Sequence, residues 1–190
     1  MGGNHNGLEE NGTAMSVNAP TNCLVASDVV SIPSTLAGAY TYWSSLIPSG
    51  EVMPAFKNFR LDDLEPRILP WSILMDVKIA PLVLTYRFWG TERTKLIGME
   101  MTGKSTADIP TTFMRESNIR EYNEVVTLQK PLLCQTPVVT SSGRQVTFQS
   151  IRLPLCSDQN NTITHIYSAM NYEQITEASY EYFGTHAIGQ

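Results

Sequence analysis

The sequence predicts an α+β fold built on one antiparallel sheet. Three observations carry this. Residues 68–89 alternate as a β-hairpin, residues 131–172 alternate as three more strands joined by tight turns, and a helical excursion separates the two groups. A sheet of five strands with helices over one face, preceded by an amphipathic cap helix, satisfies that order with short connections.

The cap helix is expected to open after Pro33, with Ser34 as its N-cap. Leu36, Ala39, Tyr40, Trp43, Leu46 and Ile47 recur at three- and four-residue steps, and Pro48 and Gly50 end it. This stripe has two readings. It packs on its own domain, or Leu36, Tyr40, Trp43 and Ile47 meet the same helix of a second copy in a homodimer.

The hairpin follows an irregular linker. Its first strand is expected over Ile68–Val77, with Leu69, Trp71, Ile73, Met75 and Val77 on one face and Pro70 near the start because proline cannot donate to a ladder. The return strand, Leu82–Trp89, is rich in β-branched and aromatic residues. Strict alternation puts Val83, Thr85, Arg87 and Trp89 on one side, so Arg87 shares a face with apolar neighbours and needs a partner. Gly90 turns the chain, and Thr91 starts a short helix that stops at Gly98.

Residues 98–105 read GMEMTGKS and match the phosphate-loop string. The context opposes a nucleotide site. The first glycine follows a helix rather than a buried strand, Pro110 comes soon after Ser105, and the loop interior carries Met and Glu instead of small residues. The longest helix is expected over Thr111–Gln129, ended by Lys130-Pro131. Strands follow at 131–140, 144–155 and 162–172, with Val146, Phe148, Ser150 and Arg152 on one face of the second.

Composition bounds the function. The chain has 190 residues and a net charge of -5, which argues against a general electrostatic grip on nucleic acid or anionic lipid. No apolar run approaches the length of a membrane span, and the amino terminus lacks a secretory pattern. The three cysteines have no metal or redox spacing and are expected as reduced thiols in a cytoplasmic protein. Residues 1–30 are expected as a disordered leader, 31–173 as one domain and 174–190 as a tail.

Several residues carry a resemblance. Tyr42-Trp43, Leu69-Pro70, Leu74-Met75-Asp76-Val77, Tyr86-Arg87-Phe88-Trp89-Gly90-Thr91, Leu96-Ile97-Gly98 and Thr102-Gly103-Lys104 resemble a bacterial family of PAS-like domains, first catalogued as a domain of unknown function. The resemblance spans about residues 34–173 and rests mainly on the Arg-x-x-Gly-Thr step with its following Gly and Thr-Gly. It implies a PAS-like five-stranded antiparallel sheet around a ligand-sized cavity, a role in sensing or protein contacts, and no catalysis. No ligand is implied, and neither a flavin-adduct motif nor a histidine placed for haem is present, so the cofactor is left unknown.

The expected ligand set is Arg87, Trp71, Tyr86, Trp89, Phe148, Arg152 and His165. Arg87 either holds a carboxylate or phosphate bidentately or pairs with an acid such as Asp76, the pairing being preferred. The aromatic residues either wall a ligand or form core. The leading functional reading is a stand-alone sensory domain that binds a small molecule and acts through a partner protein. A dimerisation module without a ligand is second, and an enzyme third.

Overall fold

The computed structural model of the chain describes residues 22–26, 31–157 and 161–186. In order these form β1 (Asn22–Val25), α1 (Ser34–Ser45), β2 (Ser72–Ile79), β3 (Leu82–Trp89), α2 (Thr91–Ile97), α3 (Thr112–Leu128), β4 (Leu132–Val139), β5 (Gln145–Cys156), β6 (Ile163–Met170) and α4 (Glu177–His186). The strands make one antiparallel sheet in the order β1-β4-β5-β6-β2-β3.

Five of the six strands are those the alternation predicts. The sixth, β1, lies inside the stretch expected to be a leader. It pairs along β4 from Asn22↔Gln135 to Val25↔Leu132. The rest of that leader, residues 1–21 and 27–30, lies outside the described residues. The expected tail also belongs to the domain. α4 buries Ala178, Tyr182 and Phe183, and both rings pack on Phe148 of β5. The Arg144–Glu181 ion pair ties α4 to the β4–β5 turn.

Cys23 and Cys134 sit opposite each other in the β1–β4 register and are joined as a disulfide. This replaces the expectation of three reduced thiols. Cys156 lies buried outside the disulfide, with its thiol directed at the carbonyls of Met53 and Pro54.

The hairpin begins later than the alternation suggests. Leu69, Pro70 and Trp71 form a 3-10 turn, and β2 starts at Ser72. The reason is visible at Gly90. A Cβ there would stand 2.2 Å from the Pro70 carbonyl oxygen and 2.7 Å from that of Leu69. The 69–70 backbone crosses directly over the end of β3, where only glycine leaves room.

The two faces of the sheet carry different helices. α1 lies on the face that Tyr167 presents, through the tilted ring contacts of Tyr42 with Phe59 and of Phe59 with Tyr167. Leu36, Ala39 and Trp43 form its buried stripe. Leu36 and Trp43 are therefore internal to the protomer and not available to a second copy, while Tyr40 and Ile47 are half-buried at the margin. α2, α3 and α4 cover the opposite face, which Ser168 and Arg152 present. There Tyr122 of α3 bonds Ser168, and Glu121 bonds Arg152.

The phosphate-loop string is part of the sheet edge. The Gly103 N–H donates to the Tyr86 carbonyl at 2.7 Å, and the Tyr86 N–H donates to the Lys104 carbonyl at 2.9 Å. These loop groups are spent on β3 rather than presented to a phosphate.

Candidate functional site

A cavity of about 80 Å³ lies between the sheet and the α2–α4 layer. Its floor follows from register. Trp89 pairs with Ile73, Ile73 with Ser168, and Ser168 with Arg152, so these four form one row across β3, β2, β6 and β5. Side chains in such a row project to the same face. The next row away from Tyr86 brings Ser150 and Met170, and the one beyond brings Thr136 and Phe148. The roof comes from Arg93 and Ile97 of α2, Met99, Met101 and Ile109 of the connection, Met114 and Glu121 of α3, and Tyr182 and Phe183 of α4.

A β-bulge sets who reaches the cavity from β3. Leu74 pairs with Phe88 and Met75 with Tyr86, leaving Arg87 as an extra residue between them. Such a bulge re-aims side chains. Tyr86 and Trp89 are three apart yet both buried, with rings in an edge contact at 4.9 Å, and both line the cavity. Arg87 is turned away. Its Nε donates to Asp76 Oδ1 at 2.6 Å on the α1 side of the sheet, half exposed, with the guanidinium over the Phe56 ring.

His165 accompanies it there. Its ring stacks on Phe56, and Nε2 lies 3.1 Å from Asp76 Oδ1. Burial pulls the His165 pKa below its ordinary value, against the raising effect of Asp76 and with the help of the Arg87 charge. Trp71 stands outside the cavity and stacks on Tyr172. The structure therefore gathers Tyr86, Trp89, Phe148 and Arg152 of the expected ligand set, and separates Arg87, Trp71 and His165 from them.

The residue the sequence reading missed is Arg93. It is only 5% exposed, as is Arg152. Its position could have signalled this, since Arg93 stands three and four residues before the buried Leu96 and Ile97 on one helical stripe. Arg93 Nε donates to the Trp71 carbonyl at 3.0 Å. Arg152 Nη2 donates to Glu121 Oε2 at 2.5 Å, and its guanidinium lies over the Tyr122 ring. Four buried nitrogens on these lining residues have no hydrogen-bond partner: Arg93 Nη2, Arg152 Nε and Nη1, and the Trp89 indole nitrogen.

The electrostatics are one-sided. The lining carries two guanidiniums and one carboxylate, Glu121. Burial, reinforced by the Arg152 charge, lowers the Arg93 pKa to about 10. It is still a cation at neutral pH. Burial also opposes the Arg152 cation, but Tyr122 and Glu121 more than offset this and leave its pKa raised. Tyr86 is held protonated by its burial. Among the described residues no group of three or more His, Cys, Asp or Glu side chains is placed to hold a metal, and no helix is long and apolar enough to cross a membrane.

No curated protein matches the chain. Among solved structures, an RNA-binding light-oxygen-voltage receptor is similar at 7% identity and a TM-score of 0.45, covering 91% of this chain and 44% of that one. The chain thus spans less than half the length of that receptor. The PAS domain of a protein from Colwellia psychrerythraea is similar at 13% identity and a TM-score of 0.38, over 56% of this chain and 88% of that one. The N-terminal domain of a diguanylate cyclase with a PAS/PAC sensor, from Marinobacter aquaeolei, is similar at 11% identity and a TM-score of 0.38, over 54% of this chain and 95% of that one. The PAS domain family model matches residues 32–168, most of the chain, and the protein belongs to the PAS domain family.

Proposed function

We propose that this PAS domain is sensory and that it holds a small molecule in the cavity between the sheet and α2–α4. The observation that carries this is the set of buried donors without hydrogen-bond partners on three lining residues, Trp89, Arg93 and Arg152. Buried polar groups are nearly always hydrogen-bonded, and those left unpaired at a cavity wall are accounted for by something that occupies it. The rest of the wall is mostly apolar and rich in methionine, which adapts to an occupant's shape.

Occupancy has a route outward. Arg93 sits on α2, α2 packs against α4, and α4 puts Tyr182 and Phe183 on the cavity. A ligand that draws the Arg93 head toward β5 changes the seat of α4, and a partner protein that reads α4 reads the ligand. Native mass spectrometry of the purified full chain beside a denatured sample tests the binding claim. An extra mass lost on denaturation is the expected result, and Arg93→Gln is expected to lose it. A bare mass, with no small molecule raising the melting temperature in a broad screen, overturns the claim.

A further inference from the structure

We infer that the cavity selects a small organic monoanion, a short-chain carboxylate whose head lies between Arg93 and Arg152 and whose carbon tail lies among the methionines. This rests on the ligand-binding reading above and names the class of molecule. The charge balance is the first argument. Arg152 has Glu121 as its partner, whereas the lining offers no acid to Arg93. The cavity therefore carries one excess positive charge in surroundings of low polarity, and an occupant with one negative charge cancels it. A dianion would leave its second charge buried and unmatched, and a cation would add to the excess.

The donor set is the second argument. The unpartnered nitrogens on the lining residues are all N–H donors: Arg93 Nη2, Arg152 Nε and Nη1, and Trp89 Nε1. A carboxylate accepts at about four lone-pair sites and donates nothing, so it matches a wall of donors. Guanidinium forks are suited to that planar head.

Size and wall chemistry are the third argument. About 80 Å³ is a few times the ~30 Å³ that one water occupies in the liquid, which admits a few heavy atoms. The space beyond the guanidiniums is bordered by side chains such as Met99, Met101, Met114 and Met170. An inorganic oxyanion would satisfy the donors and leave that apolar space unused. An acid with a short alkyl tail uses both.

Titration calorimetry on the full chain at constant ionic strength tests this, with butyrate as probe and 1-butanol, butylammonium and inorganic phosphate as controls. Saturable butyrate binding with none by the controls is expected. Arg93→Gln is expected to weaken it roughly 10- to 100-fold, the scale of a hydrogen-bonded charge. Trp89→Phe removes one donor at little cost in shape and gives a second, milder loss, so the result does not hang on one variant's folding, which melting curves check. Butyrate bound equally by wild type and both variants overturns the placement. Binding of 1-butanol or butylammonium in its place overturns the anion class, binding of phosphate in its place overturns the carboxylate with its carbon tail, and either leaves the ligand-binding reading standing. Binding by no probe, together with a bare native mass, overturns both.

Discussion

Trp43 and Trp89 are both buried tryptophans, on opposite faces of one sheet, and they differ in one atom's circumstances. On the α1 face the Trp43 indole N–H donates to the Pro154 carbonyl at 2.7 Å. Nearby, Ser72 bonds Tyr167, and Thr35 bonds Asn171, each at 2.7 Å. On the α2–α4 face the Trp89 indole N–H has no hydrogen-bond partner, and neither do Arg93 Nη2 and Arg152 Nε and Nη1. The arginines repeat the contrast. Arg87 on the α1 side is half exposed and paired, while Arg93 is buried without an acid. A face that only holds a fold together satisfies its polar groups. Under the proposed function, the face that keeps a charge and donors in hand is the one a ligand completes.

The largest expected effect separates the two buried arginines from each other. Arg152→Met strands the Glu121 carboxylate in the interior and is expected to cost about 3–5 kcal/mol. Arg93→Met removes a buried charge that has no acid, losing one hydrogen bond to the Trp71 carbonyl. Its stability in the absence of ligand is expected to stay level or rise. Urea unfolding of both variants measures this. If Arg93→Met falls as far as Arg152→Met, Arg93 is an ordinary structural residue and the contrast between the faces is lost.

Next come the tryptophans. Trp43→Phe leaves the Pro154 carbonyl unsatisfied and is expected to cost roughly 1–3 kcal/mol. Trp89→Phe deletes a donor that has no acceptor, and its expected cost is smaller, confined to lost packing. Equal melting-temperature losses for the two would mean that the Trp89 N–H is satisfied in solution.

The sequence made one side of this comparison easier to read than the other. Alternation in β5 places Phe148, Ser150 and Arg152 on one face, and they do line the cavity together. The helix stop at Gly98 is equally plain, since its backbone is left-handed at φ 77°. Arg87 misled because period-two counting assumes an unbroken strand, and the bulge at Arg87 resets the count. Arg93 carries only a short signal, its step to Leu96 and Ile97, because a seven-residue helix holds no longer periodicity and a charged residue on that stripe is not expected to be buried. β1 is four residues long, and its cysteine partner lies 111 positions away, so neither the strand nor the disulfide has a local signature. What sequence reading loses here is what depends on contacts distant in the chain, and the unpaired donors are of that kind.

The smallest effects belong to the α1-side pair. Arg87→Ala removes an exposed ion pair and is expected to change stability by only about 0–1 kcal/mol. Its clearer consequence is at His165. In the folded protein the His165 pKa lies below its ordinary 6.5, so the unfolded chain takes up protons first as pH falls. The neutral ring's contribution is intact above pH 6.5 and is lost as pH drops below it, toward the folded-state pKa. Arg87 is one cause of the depression, and Asp76 opposes it. Removing Arg87 should therefore move the His165 pKa upward and flatten the stability profile below pH 6.5. An NMR titration of the His165 ring in wild type and Arg87→Ala decides it. A pKa that stays put would mean that the guanidinium, half in water, is screened from the ring.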